Sequence, residues 1–255
     1  MPELRKDPVL GRWVIISTER AKRPKDFKST PEKKVVAPAS CPFCPGNETS
    51  TPPEIMAYRP DNTKPNTPEW TLRVIPNKFP ALLVEGDISR RGEGIYDRMN
   101  GIGAHEVIIE SPDHSMDLAD LEIEHFQNVI YAYQERMLDL KKDQRLRYTM
   151  VFKNFGAAAG ASLEHSHSQL IATPIVPKRV MEEMDGAKRY YEYRERCIFC
   201  DIVVQETKDR KRLINENNSF ILICPFAPRF PFETWILPRN HISNFEDASR
   251  DELDD

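Results

Sequence analysis

Glycine is scarce in this chain, at 10 of 255 residues, while proline is plentiful, at 21. That balance predicts long, proline-stiffened connections between rather short elements. Positive charge is not in excess either. Against 36 Lys and Arg stand 40 Asp and Glu, a formal charge of −4, which excludes a nucleic-acid partner held by a general basic field. No apolar run approaches the roughly 18 residues that a membrane span needs, and the start, Met1-Pro2-Glu3-Leu4-Arg5, lacks the apolar region of a signal peptide. These absences predict a cytoplasmic protein with no membrane or nucleic-acid role. Cysteines number only five: Cys41, Cys44, Cys197, Cys200 and Cys224. Two CxxC pairs in a cytoplasmic chain read as metal ligands rather than disulfides, and the lone Cys224, in an apolar strand, reads as a core residue.

What is there centres on Asn154 to Gln169, NFGAAAGASLEHSHSQ. Leu146 to Phe152 before it and Leu170 to Thr173 after it read as strands. If the second strand starts at His165, period two puts His165, His167 and Gln169 on one face. The glycines let backbone amides approach a ligand, and consecutive amides in a turn make a concavity suited to an anion. The stretch therefore suggests phosphate chemistry around an imidazole. A small-residue turn beside two exposed histidines is the alternative.

Along the rest of the chain, Trp13 to Ile16 reads as a strand, Leu72 to Pro80 as a strand ending in a polar turn and His105 to His114 as a strand with a histidine just past its end, with Glu48 to Pro68 and Gly86 to Gly103 as connections. Arg20 and Arg23 could grip phosphate oxygens through their planar forks or be two solvated charges. Asp117 to Lys142 has apolar residues at helical spacing and is the longest predicted helix; His125 within it reads as a packing or surface residue. Lys178 to Arg196 is a second, charged helix. A final helix starts near Ser249, capped with help from Glu252.

Two segments repeat one pattern: HEVIIESPDH, residues 105–114, and FETWILPRNH, residues 232–241. Each has glutamate second, apolar residues from third to fifth and histidine tenth. Each follows a CxxC pair and a strand near an asparagine, Asn77 in one and Asn217 in the other. The fold expected is α+β, two tandem related units, 1–177 and 178–255, sharing a mainly antiparallel sheet with packed helices. The second unit's counterpart of His165 would fall beyond residue 255, so that unit is expected to be C-terminally incomplete, in a truncated or naturally shortened chain with an exposed sheet edge.

Cys41, Cys44, His114 and His165 make a Cys₂His₂ set suited to a closed tetrahedral Zn²⁺. Such a site would pin a loop to two strand ends and fix the neighbouring His167. Cys197, Cys200 and His241 supply three ligands of a second site, expected to be weak, open or empty. For each pair the alternative is a reduced, buried CxxC.

The chain resembles the galactose-1-phosphate uridylyltransferase family, a branch of the histidine-triad superfamily. The matching pieces are RAKRP at 20–24, CPFC at 41–44, Asn77, SPDHS at 111–115, the loop ending HSHSQ at 165–169, and PFET at 231–234. The resemblance implies a HIT-like fold and ping-pong nucleotidyl transfer. His167 would take a uridylyl group from UDP-glucose and pass it to galactose 1-phosphate, with the His165 carbonyl holding the other ring nitrogen. Gln169 and Ser162 would donate to phosphoryl oxygens, Arg20 and Arg23 would add positive charge, and Asn77, Asn154 and Gly160 would line the nucleotide site. Family members are dimers, which implies a homodimer. Serine at 166 and 168, where the best-known members have proline and glycine, makes the motif also similar to ADP-glucose phosphorylase, an adenylyltransferase. Adenylyl transfer is the alternative, and a zinc-stabilised nucleotide binder without turnover a second.

Overall fold

The computed structural model describes residues 2–6, 13–17, 40–61 and 63–255. The chain divides into two compact units, Met1–Pro177 and Lys178–Asp255.

In the first unit the elements are β1 (Glu3–Lys6), β2 (Trp13–Ile16), β3 (Met56–Tyr58), β4 (Leu72–Pro76), β5 (Arg91–Glu93), β6 (Tyr96–Asn100), β7 (Ala104–Ile109), α1 (Ile123–Leu140), β8 (Tyr148–Phe152) and β9 (His167–Thr173). They form an antiparallel five-stranded sheet in the order β3-β4-β7-β9-β8 and a small sheet in the order β2-β1-β6-β5. The central strand β7 is buried at every position, AHEVII, because both faces of the sheet are covered. On one face α1 lays down Val129, Ala132 and Tyr133 against Leu72, Val74, Ile108 and Leu170, residues three and four apart that share one helical stripe. On the other face Cys41, Phe43, Cys44 and Trp70 pack on Ile75, Val107 and Ile109. The helix also carries Arg136, whose guanidinium grips the Glu106 carboxylate through two hydrogen bonds of 2.8 Å inside the helix-to-sheet layer. The sequence thus puts an ion pair where binary patterning alone would put an aliphatic residue.

In the second unit, α2 (Lys178–Arg194) and α3 (Ile198–Asp209) precede β10 (Leu213–Glu216), β11 (Phe220–Ile223), β12 (Trp235–Pro238) and α4 (Arg250–Asp254). The strands make an antiparallel sheet in the order β10-β11-β12, the arrangement of β3-β4-β7. Its core is Val203 of α3 against Ile221 and Ile223. In the first unit Ile108 faces Val74 and Ile109 faces Arg73; in the second, Trp235 faces Ile223 and Ile236 faces Leu222. The two copies of the repeat seen in sequence each run through the last strand of that order, β7 and β12. Ser249 and Glu252 form the expected reciprocal cap.

Several boundaries differ from the sequence reading. The long helix starts at Ile123, not Asp117, because Asp117 caps a separate 3₁₀ turn, Leu118–Asp120, after which Leu121 and Glu122 are extended. The strand after the central loop starts at His167, two residues later than His165. Phe232 has φ +64° and stands outside β12. Asn77 follows β4 whereas Asn217 precedes β11, so the two asparagines sit at opposite ends of matching strands. Cys224 is exposed rather than in the core, since it lies just past β11, whose buried positions are Ile221 and Ile223. Arg20 and Arg23 lie outside the described residues. Among the described residues, no helix is long and apolar enough to cross a membrane.

Candidate active site and metal centres

The knuckle Cys41-Pro42-Phe43-Cys44 is a tight turn. The Cys44 amide donates to the Cys41 carbonyl at 3.3 Å, and the Asn47 side chain donates to that same oxygen at 2.8 Å. Gly46, at φ +91°, lets the chain turn so that its amide meets the Glu48 carboxylate, which also accepts from Trp70 Nε1 at 2.8 Å. Trp70 leads into β4, so this buried carboxylate ties the knuckle to the sheet. His114 comes from the opposite side, on the Ser111-Pro112-Asp113 turn after β7, where the Asp113 amide donates to Ser111 Oγ at 3.1 Å.

Cys41, Cys44, His114 and His165 each offer one atom to a common point, with all four atoms within 4.8 Å of one another. Cys44 Sγ lies 3.4 Å from His114 Nδ1 and 3.6 Å from His165 Nδ1, and Cys41 Sγ lies 3.7 Å from the latter. Sulfur and nitrogen on two corners of a tetrahedron around zinc are separated by about 3.5 Å when the bonds are about 2.3 and 2.05 Å. The donor set and its spacing fit such an ion. The His165 Nε2–H donates to the Ser111 carbonyl at 2.8 Å, which leaves Nδ1 as the ligand atom and supplies the outer hydrogen bond that orients a ligating imidazole. Burial lowers the His165 pKa to about 4, so the ring is neutral. Burial, with Cys41 beside it, pushes the Cys44 thiol up to about 12; two sulfurs packed together favour a cation between them.

His167 opens β9 and is 7% exposed. Its Nδ1–H donates to the His165 carbonyl at 2.8 Å. The proton is thereby fixed on Nδ1, and Nε2 keeps its lone pair. The Phe43 ring stands edge-on to it, with centroids 5.3 Å apart. Burial, the dominant cause, lowers the pKa of His167, which keeps the ring in its nucleophilic neutral form. Gln169, two residues on, shares this face. Its side-chain oxygen lies 3.0 Å from His105 Nε2, and the Asn77 amide nitrogen lies 3.2 Å from the same atom. Asn154, Gly160 and Ser162 lie on the loop between β8 and β9, half-buried or exposed, with Gly160 at φ +80°.

Two features of the candidate site escaped the sequence reading. His105 was read only as part of a strand, yet it joins Asn77 to Gln169. Behind β9, the fully buried Glu110 accepts from Lys153 Nζ and Ser166 Oγ, each at 2.6 Å, from Tyr133 at 3.2 Å, and from Ser168. Lys153 Nζ also reaches the His167 carbonyl at 3.3 Å. Ser166 and Ser168 alternate with the histidines, so period two did place a second polar set on the far face; their shared carboxylate carries no such signal. His125 is a packing residue, its Nε2–H donating to the Glu110 carbonyl at 2.7 Å.

In the second unit Cys197, Cys200 and His241 come together, with Cys200 Sγ 3.1 Å from His241 Nδ1. Cys197 caps α3 and Cys200 lies in its first turn. His241 is exposed, and the three residues line a cavity of about 710 Å³ with Tyr191 and Arg196.

The family model for the N-terminal domain of galactose-1-phosphate uridyl transferase matches residues 1–177. The chain belongs to the galactose-1-phosphate uridyl transferase family. It is a family of nucleotidyltransferases, and a second model, a domain of unknown function named DUF4921, matches residues 101–255. Among members, an ADP-glucose phosphorylase of Arabidopsis thaliana is 43% identical over 247 residues, covering 96% of this chain and 68% of that protein. A galactose-1-phosphate uridylyltransferase of Thermotoga maritima is 28% identical over 253 residues, covering 99% of this chain and 71% of that protein. A crystal structure of an Arabidopsis thaliana ADP-glucose phosphorylase with bound ADP-glucose superposes with a TM-score of 0.72 at 40% identity, covering all of this chain and 74% of the other. The two-unit α+β architecture is that of the uridyl transferase family.

Proposed function

We propose that this chain transfers a nucleotidyl group from a nucleotide sugar to a phosphate acceptor through a covalent intermediate on His167. The observation that supports it most is the 2.8 Å hydrogen bond from His167 Nδ1–H to the His165 carbonyl. That bond fixes the tautomer, leaves the Nε2 lone pair to attack, and stabilises the positive charge the ring gains as the Nε2–P bond forms. The bond from the α-phosphorus to the sugar-phosphate oxygen breaks, and the sugar 1-phosphate leaves. A phosphate oxygen of the acceptor, a hexose 1-phosphate or inorganic phosphate, then attacks phosphorus, and Nε2 departs neutral. Gln169 and Ser162 donate to the phosphoryl oxygens as charge moves onto them, and Arg20 and Arg23 add positive charge. Asn77, Asn154 and Gly160 contact the nucleotide.

Cys41, Cys44, His114 and His165 would hold one Zn²⁺, and Cys197, Cys200 and His241 a second. A bound ion at the first set acts as a structural clamp. His165 is both a ligand, through its ring, and, through its carbonyl, the acceptor that sets the nucleophile's tautomer, so fixing it fixes His167. The assembly proposed is a homodimer, checked by light scattering.

For the nucleotide, adenylyl is favoured by the 43% identity to an ADP-glucose phosphorylase against 28% to a uridylyltransferase. Uridylyl transfer from UDP-glucose to galactose 1-phosphate is the second reading, supported by the family model over 1–177. Incubation with ADP-glucose and, separately, UDP-glucose, followed by intact mass, distinguishes them by the covalent adduct. His167→Asn is expected to form none. An adduct persisting in that variant would remove His167 as the nucleophile, and retention of intact nucleotide sugar without release of glucose 1-phosphate would mark a binding protein instead.

A further inference from the structure

His105 is buried in the middle of the site face and takes no part in the transfer described above. Its surroundings fix its protonation. The Ala81 backbone N–H points at His105 Nδ1 from 3.0 Å; a backbone amide can only donate, so Nδ1 accepts and the neutral ring carries its hydrogen on Nε2. That hydrogen needs an acceptor, and the Gln169 side-chain oxygen is 3.0 Å away. An amide turned the other way would set NH₂ against N–H, donor against donor. Asn77 does not reverse this. Asn77 Oδ1 already accepts from the Phe79 amide at 2.9 Å, so the Asn77 group 3.2 Å from His105 Nε2 is its NH₂, also a donor.

Two main-chain amides, of Ala81 and Phe79, therefore set one imidazole tautomer and two amide orientations. We infer that His105 is a positioning residue for the transfer: by holding the Gln169 oxygen it leaves the Gln169 NH₂ as the end available to a phosphoryl oxygen on His167. Without that hold, Gln169 could offer either its NH₂ or its oxygen, and an oxygen facing a phosphoryl group is repulsive. The pairing of His105 with Gln169 across β7 and β9, two positions from the Val107–Gln169 pair, gives the imidazole this reach while keeping it off the phosphate.

The inference rests on the proposed role of Gln169, and a double-mutant cycle separates the two. In the full chain the single-turnover rate of adduct formation is compared for wild type, Gln169→Ala, His105→Phe and the double variant. Gln169→Ala is expected to slow adduct formation by about 100-fold, the cost of removing one donor to a developing oxyanion. His105→Phe is expected to slow it by about 10-fold or more, with donor KM changed less than about threefold. The double variant should be no slower than Gln169→Ala alone, because a residue acting through Gln169 has nothing to act on once Gln169 is gone. Additive losses, or His105→Phe at the wild-type rate, would overturn the inference alone. A wild-type chain with no adduct, or Gln169→Ala at the wild-type rate, would overturn the underlying reading and the inference with it. Since His105→Phe leaves the Ala81 amide unpaired and could fail to fold, nitrogen NMR of the wild-type imidazoles supplies a second measurement. His105 must be the Nε2–H tautomer, and an Nδ1–H or doubly protonated ring would refute the proposal.

Discussion

The two cysteine pairs occupy matching places in their units, each followed by strands of the same order and by a histidine past the third strand. What closes around them differs. In the first unit the pair sits in a turn under Trp70 and Phe43, both cysteines are buried, and a fourth candidate donor, His165, arrives from the segment that enters β9. In the second unit the pair begins a helix, the histidine is exposed, and three donors face a cavity of about 710 Å³. The motif alone thus does not decide what a site can do. On the proposed reading, a fourth donor on the segment that carries His167 ties the first set to chemistry, since His165 turns its ring to the Cys41, Cys44 and His114 donors and its carbonyl to His167.

The sharpest way to break this comparison is Cys41→Ser. Loss of one ligand from a closed four-ligand site is expected to release the metal and, with it, the fixed position of His165. Metal content measured by elemental analysis should fall by one ion per chain, and adduct formation should drop by at least about 100-fold. A Cys41→Ser chain that still forms the adduct at the wild-type rate would show that His167 is held without the clamp.

Much of this was legible from spacing. The alternation of His165, Ser166, His167, Ser168 and Gln169 placed the histidines on one face, and the tenth-position histidines at 114 and 241 predicted which cysteines they would meet. Chain contacts between charged residues left no such trace. The hairpin of β5 and β6 was read as a connection because Arg91, Glu93, Asp97 and Arg98 dilute its alternation, and β3 was hidden between prolines. Asp117 looked like a helix start because it is one, but of a single 3₁₀ turn. His105 and Glu106 lie in an apolar strand and Glu110 just past it; their partners, Gln169, Arg136 and Lys153, are 30 to 64 positions away, and no local pattern links residues that far apart.

A smaller effect should separate the units by the worth of their matching glutamates. Glu106 and Arg136 form a buried pair, with side chains 5% and 9% exposed, whereas Arg229, which grips Glu233 in the second unit, is 46% exposed. Arg136→Met strands a carboxylate inside the helix-to-sheet layer and should cost about 3–5 kcal/mol in denaturant unfolding. Glu233 is itself only 4% exposed, but its arginine stands at the surface, so shortening Arg229 to Met opens to water the side of the carboxylate that the guanidinium covers, and the loss should be smaller than that of Arg136→Met. Equal losses in the two variants would mean that the exposure of the arginine does not decide the worth of the pair.

The smallest expected change is in activity after Cys197→Ser. Every side chain assigned to the transfer that lies within the described residues, from Asn77 to Gln169, belongs to the first unit, so removing a ligand of the second set takes nothing from the tautomer of His167 or the orientation of Gln169. Adduct formation should stay within about twofold of wild type. The same variant should lose the second ion, and in the wild type a chelator should strip that ion first, because an exposed three-ligand site offers the competitor an open coordination position that the buried four-ligand site does not. A fall in adduct formation as deep as that of Cys41→Ser would reverse the contrast between the units, since it would make the open site as necessary to His167 as the closed one.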